Sequence, residues 1–177
     1  MRIIGGQFNR RIIRVPAGLP VRPTTDMAKE ALFNILSNHF EFQGLEVLDL
    51  FAGTGSISLE FVSRGAVRVV SVDSHHRCFM FLREMASQLS AGTQKVIKAD
   101  VFKFLGRATG NYDIVFADPP YDLERMRGIP EMVFEQALVK AGGWLIMEHP
   151  VSIRFDDHPR FFRISNYSKV HFSFFQA

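Results

Sequence analysis

A chain of 177 residues with 47% hydrophobic residues is long enough to bury one substantial core and too short for two full domains. It contains no apolar run near the roughly 20 residues that a membrane helix needs, and its single cysteine, Cys78, cannot form an internal disulfide. The formal net charge of +3 favours a nucleic-acid partner only weakly.

The first 15 residues contain two short β-branched segments separated by a loop around residues 5–10, which predicts a β-hairpin. Within the first 22 positions there is no acidic residue and there are five arginines: Arg2, Arg10, Arg11, Arg14 and Arg22. Guanidinium groups suit phosphate oxygens, so this segment is a candidate phosphate-contacting arm. A solvated basic strand face is the alternative that charge alone leaves open.

A helix is predicted after the linker that the prolines and glycine of residues 16–23 mark. Thr25 or Asp26 is suited to cap its N-terminus. Apolar residues at helical spacing extend it to about His39: Ala28, Ala31, Leu32, Ile35 and Leu36.

Beyond Gly44 the chain repeats strand-then-helix units, which predict a parallel sheet with crossover helices. The first four strands are predicted at residues 47–50, 67–72, 95–99 and 112–117. Each ends at or near a carboxylate: Asp49, Asp73, Asp100 and Asp118. Ligands bind at the carboxyl edge of open parallel sheets, so we expect these aspartates near a ligand.

The last third of the chain is predicted to add a helix at residues 132–139, a turn at Gly142 and Gly143, and a strand at 144–148. Residues 161–167 and 170–175 alternate polar and aromatic side chains. This alternation predicts an antiparallel hairpin at the edge of the sheet.

Residues 47–56 read as a buried strand that runs into a glycine turn, where the backbone can approach a nucleotide-like ligand. Such a turn serves dinucleotides, mononucleotides and S-adenosylmethionine alike. Ser58 replaces the third glycine of the dinucleotide fingerprint. Asp73 follows at about the 20-residue spacing at which a ribose-binding acid is expected. The turn by itself therefore leaves the ligand class open.

Asp118, Pro119, Pro120 and Tyr121 form the most specific signal in the chain. Two prolines after a strand-end aspartate stiffen the turn and fix its carboxylate and carbonyls in space. An exocyclic amino group of a nucleobase needs two acceptors to orient it and an aromatic face to hold the ring. The turn supplies both, although a plain tight turn after a strand is the bland alternative.

The DLFAGTG loop at residues 49–55, followed by the Asp-Pro-Pro-Tyr turn, resembles class I S-adenosylmethionine-dependent methyltransferases that act on exocyclic amino groups. RIIGG at 2–6, RPTTD at 22–26 and KEALFNIL at 29–36 resemble the bacterial 16S ribosomal RNA guanine-N2 methyltransferase family, the RsmD type. The resemblance implies an α/β, Rossmann-like fold. Its sheet would be mostly parallel and seven-stranded, with an antiparallel C-terminal hairpin and a small N-terminal β-hairpin extension.

The resemblance also implies a division of labour along the chain. Residues 1–43 would form an RNA-contacting extension, and residues 44–177 the S-adenosylmethionine-binding catalytic domain. Asp49 would lie near the methionine portion of the cofactor, Asp73 would accept from the ribose hydroxyls, and Asp100 with the backbone of Val101 would read the adenine edge. The complete implied cofactor set is Asp49, Phe51, Gly53, Thr54, Gly55, Asp73, Asp100 and Val101.

The implied substrate is 16S ribosomal RNA or the small ribosomal subunit, methylated at guanine N2. The implied catalytic residues are Asp118, Pro119, Pro120 and Tyr121, and the implied RNA contacts are Arg10, Arg11, Arg14, Arg22, Thr24 and Thr25. Asp118 and the Pro119 carbonyl would accept from N2 and stabilise the positive charge that develops there. The target base must be unpaired or flipped out of a helix for this chemistry.

Three other functions remain open at this point. Adenine-N6 methylation of DNA or RNA would use the same acceptor turn, and a nicotinamide-dependent oxidoreductase would share the glycine loop and Asp73. An RNA-binding module without catalysis would share the fold. The six histidines lack metal-ligand spacing, so no metal is expected. We expect a cytoplasmic monomer without membrane contact.

Overall fold

One sheet contains all seven strands that this computed structural model describes, over residues 1–21, 24–89, 92–167 and 170–177. The strands are β1 (Glu46–Leu50), β2 (Arg68–Asp73), β3 (Gln94–Lys98), β4 (Tyr112–Ala117), β5 (Val139–His149), β6 (Phe161–Tyr167) and β7 (Val170–Gln176). Their order is β3-β2-β1-β4-β5-β7-β6. The first five are parallel, and β7 pairs antiparallel with both β5 and β6. The predicted parallel sheet with an antiparallel C-terminal hairpin is confirmed.

Five α-helices cover the two faces of the sheet in the described ranges: α1 (Asp26–Ser37), α2 (Ser56–Ser63), α3 (His76–Leu89), α4 (Val101–Leu105) and α5 (Ile129–Glu135). The apolar faces of α1 and α2 pack on one side of the sheet, and α4 and α5 pack on the other. No helix among the described residues is long and apolar enough to cross a membrane.

Helix α1 begins where its capping signal predicts. The Thr25 side chain accepts a hydrogen bond from the amide of Ala28 at 3.2 Å, which satisfies one of the free amides of the first turn. Leu32, Phe33 and Leu36 recur at helical spacing and are completely buried. The helix therefore contributes directly to the core that supports β1 and β4.

The first 13 residues fold back on themselves as a short hairpin-like segment. An antiparallel bridge joins Arg2 and Ile12, and the Ile13 amide donates to the Met1 carbonyl at 2.8 Å. A 3₁₀ turn at Gly6–Phe8 occupies the loop between the two sides. The predicted hairpin is present, although its pairing is too short to form regular strands.

A buried ion pair fastens this segment to the helical layer. Lys29 of α1 and Glu60 of α2 are almost completely buried, with Nζ and Oε2 3.6 Å apart. Lys29 also donates to the carbonyl of Arg2, and Glu60 accepts from the amide of Ile4 at 3.0 Å. Glu60 is held on its other oxygen by Arg64 at 2.9 Å. The N-terminal segment is therefore bound through buried charges, which require such partners.

The predictions between β4 and β5 were partly wrong. Helix α5 begins at Ile129 and ends at Glu135, earlier than residues 132–139, and Pro130 suits its first turn. Gly142 and Gly143 lie inside β5, where the register against β4 shifts, and not in a turn before it. A Cβ on Gly143 would lie 2.6 Å from the Asp113 carbonyl oxygen, so glycine permits this irregular pairing.

Candidate functional site

A cavity of about 390 Å³ opens at the carboxyl ends of β1, β2 and β4. Its volume is within the roughly 300–1,000 Å³ range of small-molecule sites. These predicted site residues line it: Thr24, Asp49, Phe51, Gly53, Thr54, Asp73, Asp118, Pro119, Pro120 and Tyr121. Among the residues that the structure describes, no group of three or more His, Cys, Asp or Glu side chains could hold a metal ion.

The glycine loop between β1 and α2 forms one wall of this cavity. Phe51, Gly53 and Gly55 adopt left-handed backbone conformations, with φ of 62°, 55° and 74°. A Cβ on Gly55 would clash with Leu82 Cδ2, so this glycine allows α3 to pack directly against the loop. Phe51 accepts a conformation that is unfavourable for a bulky residue, which is a strain typical of ligand sites.

Asp73 connects the end of β2 to the glycine loop. Its Oδ2 accepts from the Gly53 amide at 2.8 Å, and its Oδ1 accepts from the His75 amide at 2.7 Å. Each carboxylate oxygen has a second lone pair that can accept from a ligand hydroxyl. The side chain is 9% exposed and lines the cavity, so it is both a brace for the loop and an available acceptor.

Asp49 is the most buried carboxylate of the site, at 2% exposure. Burial raises the pKa of Asp49 to about 7, and hydrogen bonds from the Ser58 amide and hydroxyl oppose that rise. Ser58 Oγ also lies 2.7 Å from Ser71 Oγ, and Ser71 accepts from Gln94 Nε2 at 2.8 Å. This chain of polar side chains runs beneath the loop from β1 to β3. Sequence reasoning missed it, although the serine at the third-glycine position was its signal.

The Asp-Pro-Pro-Tyr turn forms the opposite wall of the cavity. Strands β1 and β4 are neighbours, with Leu50 opposite Ala117, so the turn begins beside the glycine loop. The Asp118 amide donates to the Leu50 carbonyl at 3.4 Å. Asp118 and Tyr121 are partly exposed and Pro119 is buried, which leaves the polar groups of the turn facing an opening.

Glu148 is a further carboxylate at this edge that the sequence did not single out. It lies near the end of β5, one residue beyond Met147, which is opposite Ala117 of β4. Its Oε2 accepts from Thr24 Oγ1 at 3.5 Å, and Thr24 lines the cavity. The signal was the one used for the four aspartates, an acid at the end of an apolar strand.

Several predicted site residues lie away from the cavity. Asp100 caps α4 by accepting from the Lys103 amide at 2.9 Å, and neither it nor Val101 lines the cavity. The hydroxyl of Thr25 caps α1. The three arm arginines are exposed and outside the cavity: Arg10, Arg11 and Arg14. Arg22 lies outside the described residues. The functional roles of all these residues stay predictions.

Comparisons with known proteins are consistent with this architecture. A family model described as conserved hypothetical protein 95 matches residues 1–176. Ribosomal RNA small subunit methyltransferase D of Escherichia coli K12 is 34% identical over 148 residues, which cover 84% of this chain and 71% of that protein.

Two solved structures share the fold over nearly the whole chain. The structure of yhhF from Escherichia coli has a TM-score of 0.87 and 27% identity, and covers 99% of this chain and 97% of its own. That of a hypothetical protein from Thermus thermophilus has a TM-score of 0.85 and 27% identity, and covers 100% and 99%. The common fold includes the sheet, its crossover helices and the N-terminal segment.

Proposed function

The chain belongs to the conserved hypothetical protein 95 family, and on that premise we propose that it methylates the exocyclic N2 of a guanine in small-subunit ribosomal RNA. The predicted resemblance to RsmD-type methyltransferases is confirmed by the relative from Escherichia coli. S-adenosylmethionine is the methyl donor of this class. The single observation that carries the proposal is that the glycine loop and the Asp-Pro-Pro-Tyr turn line one cavity.

The residues of the glycine loop fit an adenosyl cofactor. Left-handed glycines leave room for close backbone approach, and Asp73 retains acceptor capacity suited to ribose hydroxyls. Asp49 would lie near the methionine portion, where a carboxylate favours the positive charges of that group. Asp100 and the backbone of Val101 would hold the adenine edge. When bound, the cofactor supplies an already activated methyl group.

The task of the chain is then to bring the target amine to that methyl group. Guanine N2 is a poor nucleophile because its lone pair is delocalised into the ring. Hydrogen bonds from N2 to the Asp118 carboxylate and the Pro119 carbonyl would localise the lone pair and stabilise the developing positive charge. The ring of Tyr121 would stack on the base, and the prolines hold these groups in place. Positioning of this kind replaces much of the entropic barrier of a two-molecule reaction.

The substrate must present an unpaired or flipped guanine to this cavity. Arg10, Arg11 and Arg14 are exposed and within one short segment, so they suit the phosphates of the surrounding RNA. Thr24 lies between that segment and the cavity, and the proposed RNA contacts also include Arg22 and Thr25. The partner is therefore 16S ribosomal RNA or the small subunit that contains it.

Transfer of a tritiated methyl group tests the proposal directly. We expect incorporation into naked 16S RNA or assembled small subunits, and nucleoside analysis should identify N2-methylguanosine. Recovery of N6-methyladenosine would support the adenine alternative, which the same acceptor turn could serve. Calorimetry should detect binding of S-adenosylhomocysteine and not of NADH, and the opposite preference would contradict the methyltransferase assignment for this cavity.

A further inference from the structure

A second cavity, of about 530 Å³, lies along β3 and α4, and the proposed methyl-transfer chemistry does not use it. We call it the β3 groove and define it by six of its lining residues: Arg68, Lys95, Ile97, Lys103, Phe104 and Arg107. One end is formed by Asp100 at the carboxyl edge of the sheet and the other by Arg68 at the amino edge. The groove therefore follows the edge strand along its length.

The groove exists because the helix over this part of the sheet is short. Helix α3 has 14 residues on one face, whereas α4 has five on the other. Lys95 and Ile97 lie opposite Val70 and Val72 of β2, so they are on the face that α4 covers incompletely. Five strand residues extend over about 17 Å at about 3.3 Å each. An elongated ligand can lie along this length.

The cations of the groove are available to a ligand. Lys95, Lys103 and Arg107 are exposed, and none of them has an ion-pair partner in the described part of the chain. Arg68 differs, because it pairs with Glu46 at 3.4 Å and lies over the ring of Tyr112. Among the described lining residues Asp100 alone is acidic, and it is occupied as the cap of α4.

We propose that the β3 groove binds the phosphate backbone of the RNA strand that flanks the target base. Unpaired cations spread along an open groove are typical of proteins that follow a single-stranded nucleic acid, and the partly exposed ring of Phe104 can stack on a base. The ligand identity rests on the proposed function, since it takes the substrate to be RNA. An elongated polyanion matches the length of the groove better than a small anion does.

The position of the groove supports this path. The amide of Ala99, which lines the groove, donates to the carbonyl of Asp73 at 3.1 Å, and Asp73 lines the candidate active site. A strand that delivers a base to that site can thus continue over the edge of the sheet. The arginine arm contacts α1 and α2 on the other layer, so the two basic surfaces would hold RNA on opposite sides of the cavity.

Binding of a 16S ribosomal RNA transcript to the full chain, measured over a range of salt concentrations, tests the proposal. The triple variant Lys95→Gln, Lys103→Gln, Arg107→Gln should bind about tenfold or more weakly. Its log-affinity against log-salt slope should fall in magnitude by about 2, at roughly 0.7 for each lost phosphate contact. The control removes the same charge elsewhere, with Lys98→Gln, Arg83→Gln and Arg154→Gln.

Single variants keep the test informative if the triple variant folds poorly. Lys95 and Lys98 are both exposed on β3, but they lie on opposite faces of the sheet. Lys95→Gln should weaken RNA binding more than Lys98→Gln, and neither should change the affinity for S-adenosylhomocysteine. Equal effects of the two substitutions, or an unchanged salt slope in the triple variant, would overturn the groove proposal.

The proposed function fails in a different way. If the wild-type chain methylates the transcript while the groove variants bind it normally, the methyltransferase assignment stands and the groove proposal is wrong. If the wild-type chain binds the transcript through the groove without transferring methyl groups, the reverse holds. A wild-type chain that neither binds nor methylates RNA contradicts both.

Discussion

The amide of Asp118 donates to the carbonyl of Leu50 over 3.4 Å, and this bond joins the turn after β4 to the start of the glycine loop. Asp118 is 69 positions beyond Asp49 in sequence, but the two residues follow neighbouring strands and line the same cavity. A base held by the turn is therefore next to a ligand held by the loop. The predictions below test the consequences of this arrangement.

Asp118→Ala should reduce methyl transfer by about 100-fold or more, because it removes a charged acceptor aimed at the reacting amine. Affinity for S-adenosylhomocysteine should stay nearly the same. Radiolabel transfer and calorimetry measure the two effects separately. Asp122→Ala is a suitable control, since Asp122 is an exposed carboxylate just after the turn. Full activity in the Asp118 variant would remove this residue from the mechanism.

Asp73→Asn should weaken cofactor binding and loosen the glycine loop together. Both carboxylate oxygens of Asp73 accept from amides, and an asparagine side chain can accept at only one of them. We expect a stability loss of about 1–3 kcal/mol from the amide left unpaired. Asp113→Asn is the control, because Asp113 also accepts from a backbone amide but lies at the opposite edge of the sheet. It should lower stability and leave cofactor affinity intact; if the two variants bind cofactor equally well, Asp73 has no ligand role.

Asp49 should make the free energy of unfolding depend on pH. Burial raises its folded pKa to about 7, whereas an unfolded aspartate titrates near about 3.9. Between these values the folded chain keeps a proton that the unfolded chain has lost, so stability falls as pH rises, by about 1.4 kcal/mol per pH unit.

Asp49→Asn should remove that contribution, since the amide oxygen can still accept from Ser58 without ionising. Urea unfolding at several pH values from 4 to 7 measures the difference between the variant and the wild type. The difference should change steadily across this window and level off above it. Parallel stability curves would mean that the Asp49 carboxyl titrates normally.

Lys29→Met should destabilise the chain by about 3 kcal/mol, because it leaves Glu60 buried with one partner fewer. This value is at the lower end for a broken buried pair, since Arg64 still holds the other oxygen of Glu60. The double variant Lys29→Met, Glu60→Gln should recover part of the loss in denaturant unfolding. Lys140→Met, which breaks partly exposed ion pairs, should cost about 1 kcal/mol or less. Strictly additive losses would show that Lys29 and Glu60 are not coupled.

Replacing Arg10, Arg11 and Arg14 with glutamine should weaken RNA binding and reduce the salt slope by about 2. The reason is loss of phosphate contacts from the exposed arm, so the effect should be independent of RNA sequence. Filter binding or fluorescence anisotropy at several salt concentrations provides the measurement. The Lys98, Arg83 and Arg154 triple variant again serves as the matched control. If both variants show the same slope, the arm is a solvated basic surface.

The parts of the fold that repeated local signals determine were predictable from sequence. Apolar runs ending in aspartate located the four central strands, and the Thr25 cap located α1. The path between α5 and β5 was predicted wrongly because glycines usually indicate a turn. In this chain Gly142 and Gly143 accommodate an irregular register against Asp113, which depends on a contact between distant segments.

The site was predictable only where function leaves a motif. The glycine loop and the Asp-Pro-Pro-Tyr turn have one, and the structure brings them to one cavity. The pairing of Thr24 with Glu148 and the Asp49–Ser58–Ser71 chain have none, because they join residues from separate strands. Which polar residues meet across the sheet depends on strand order and register, and a single sequence does not contain that information in a local pattern.

The buried anchorage of the N-terminal segment limits how this protein can be recombined with its relatives. Lys29 and Glu60 bind the backbone of residues 2–4, while Ser63 contacts Gly5 and Phe8. A chimera that exchanged only the first 13 residues would place a foreign backbone against charges that have no water to solvate them. A functional swap of RNA-contacting arms would have to carry positions 29, 60 and 63 with the arm. The unit of inheritance is therefore a set of positions spread over three elements, and not a stretch of chain.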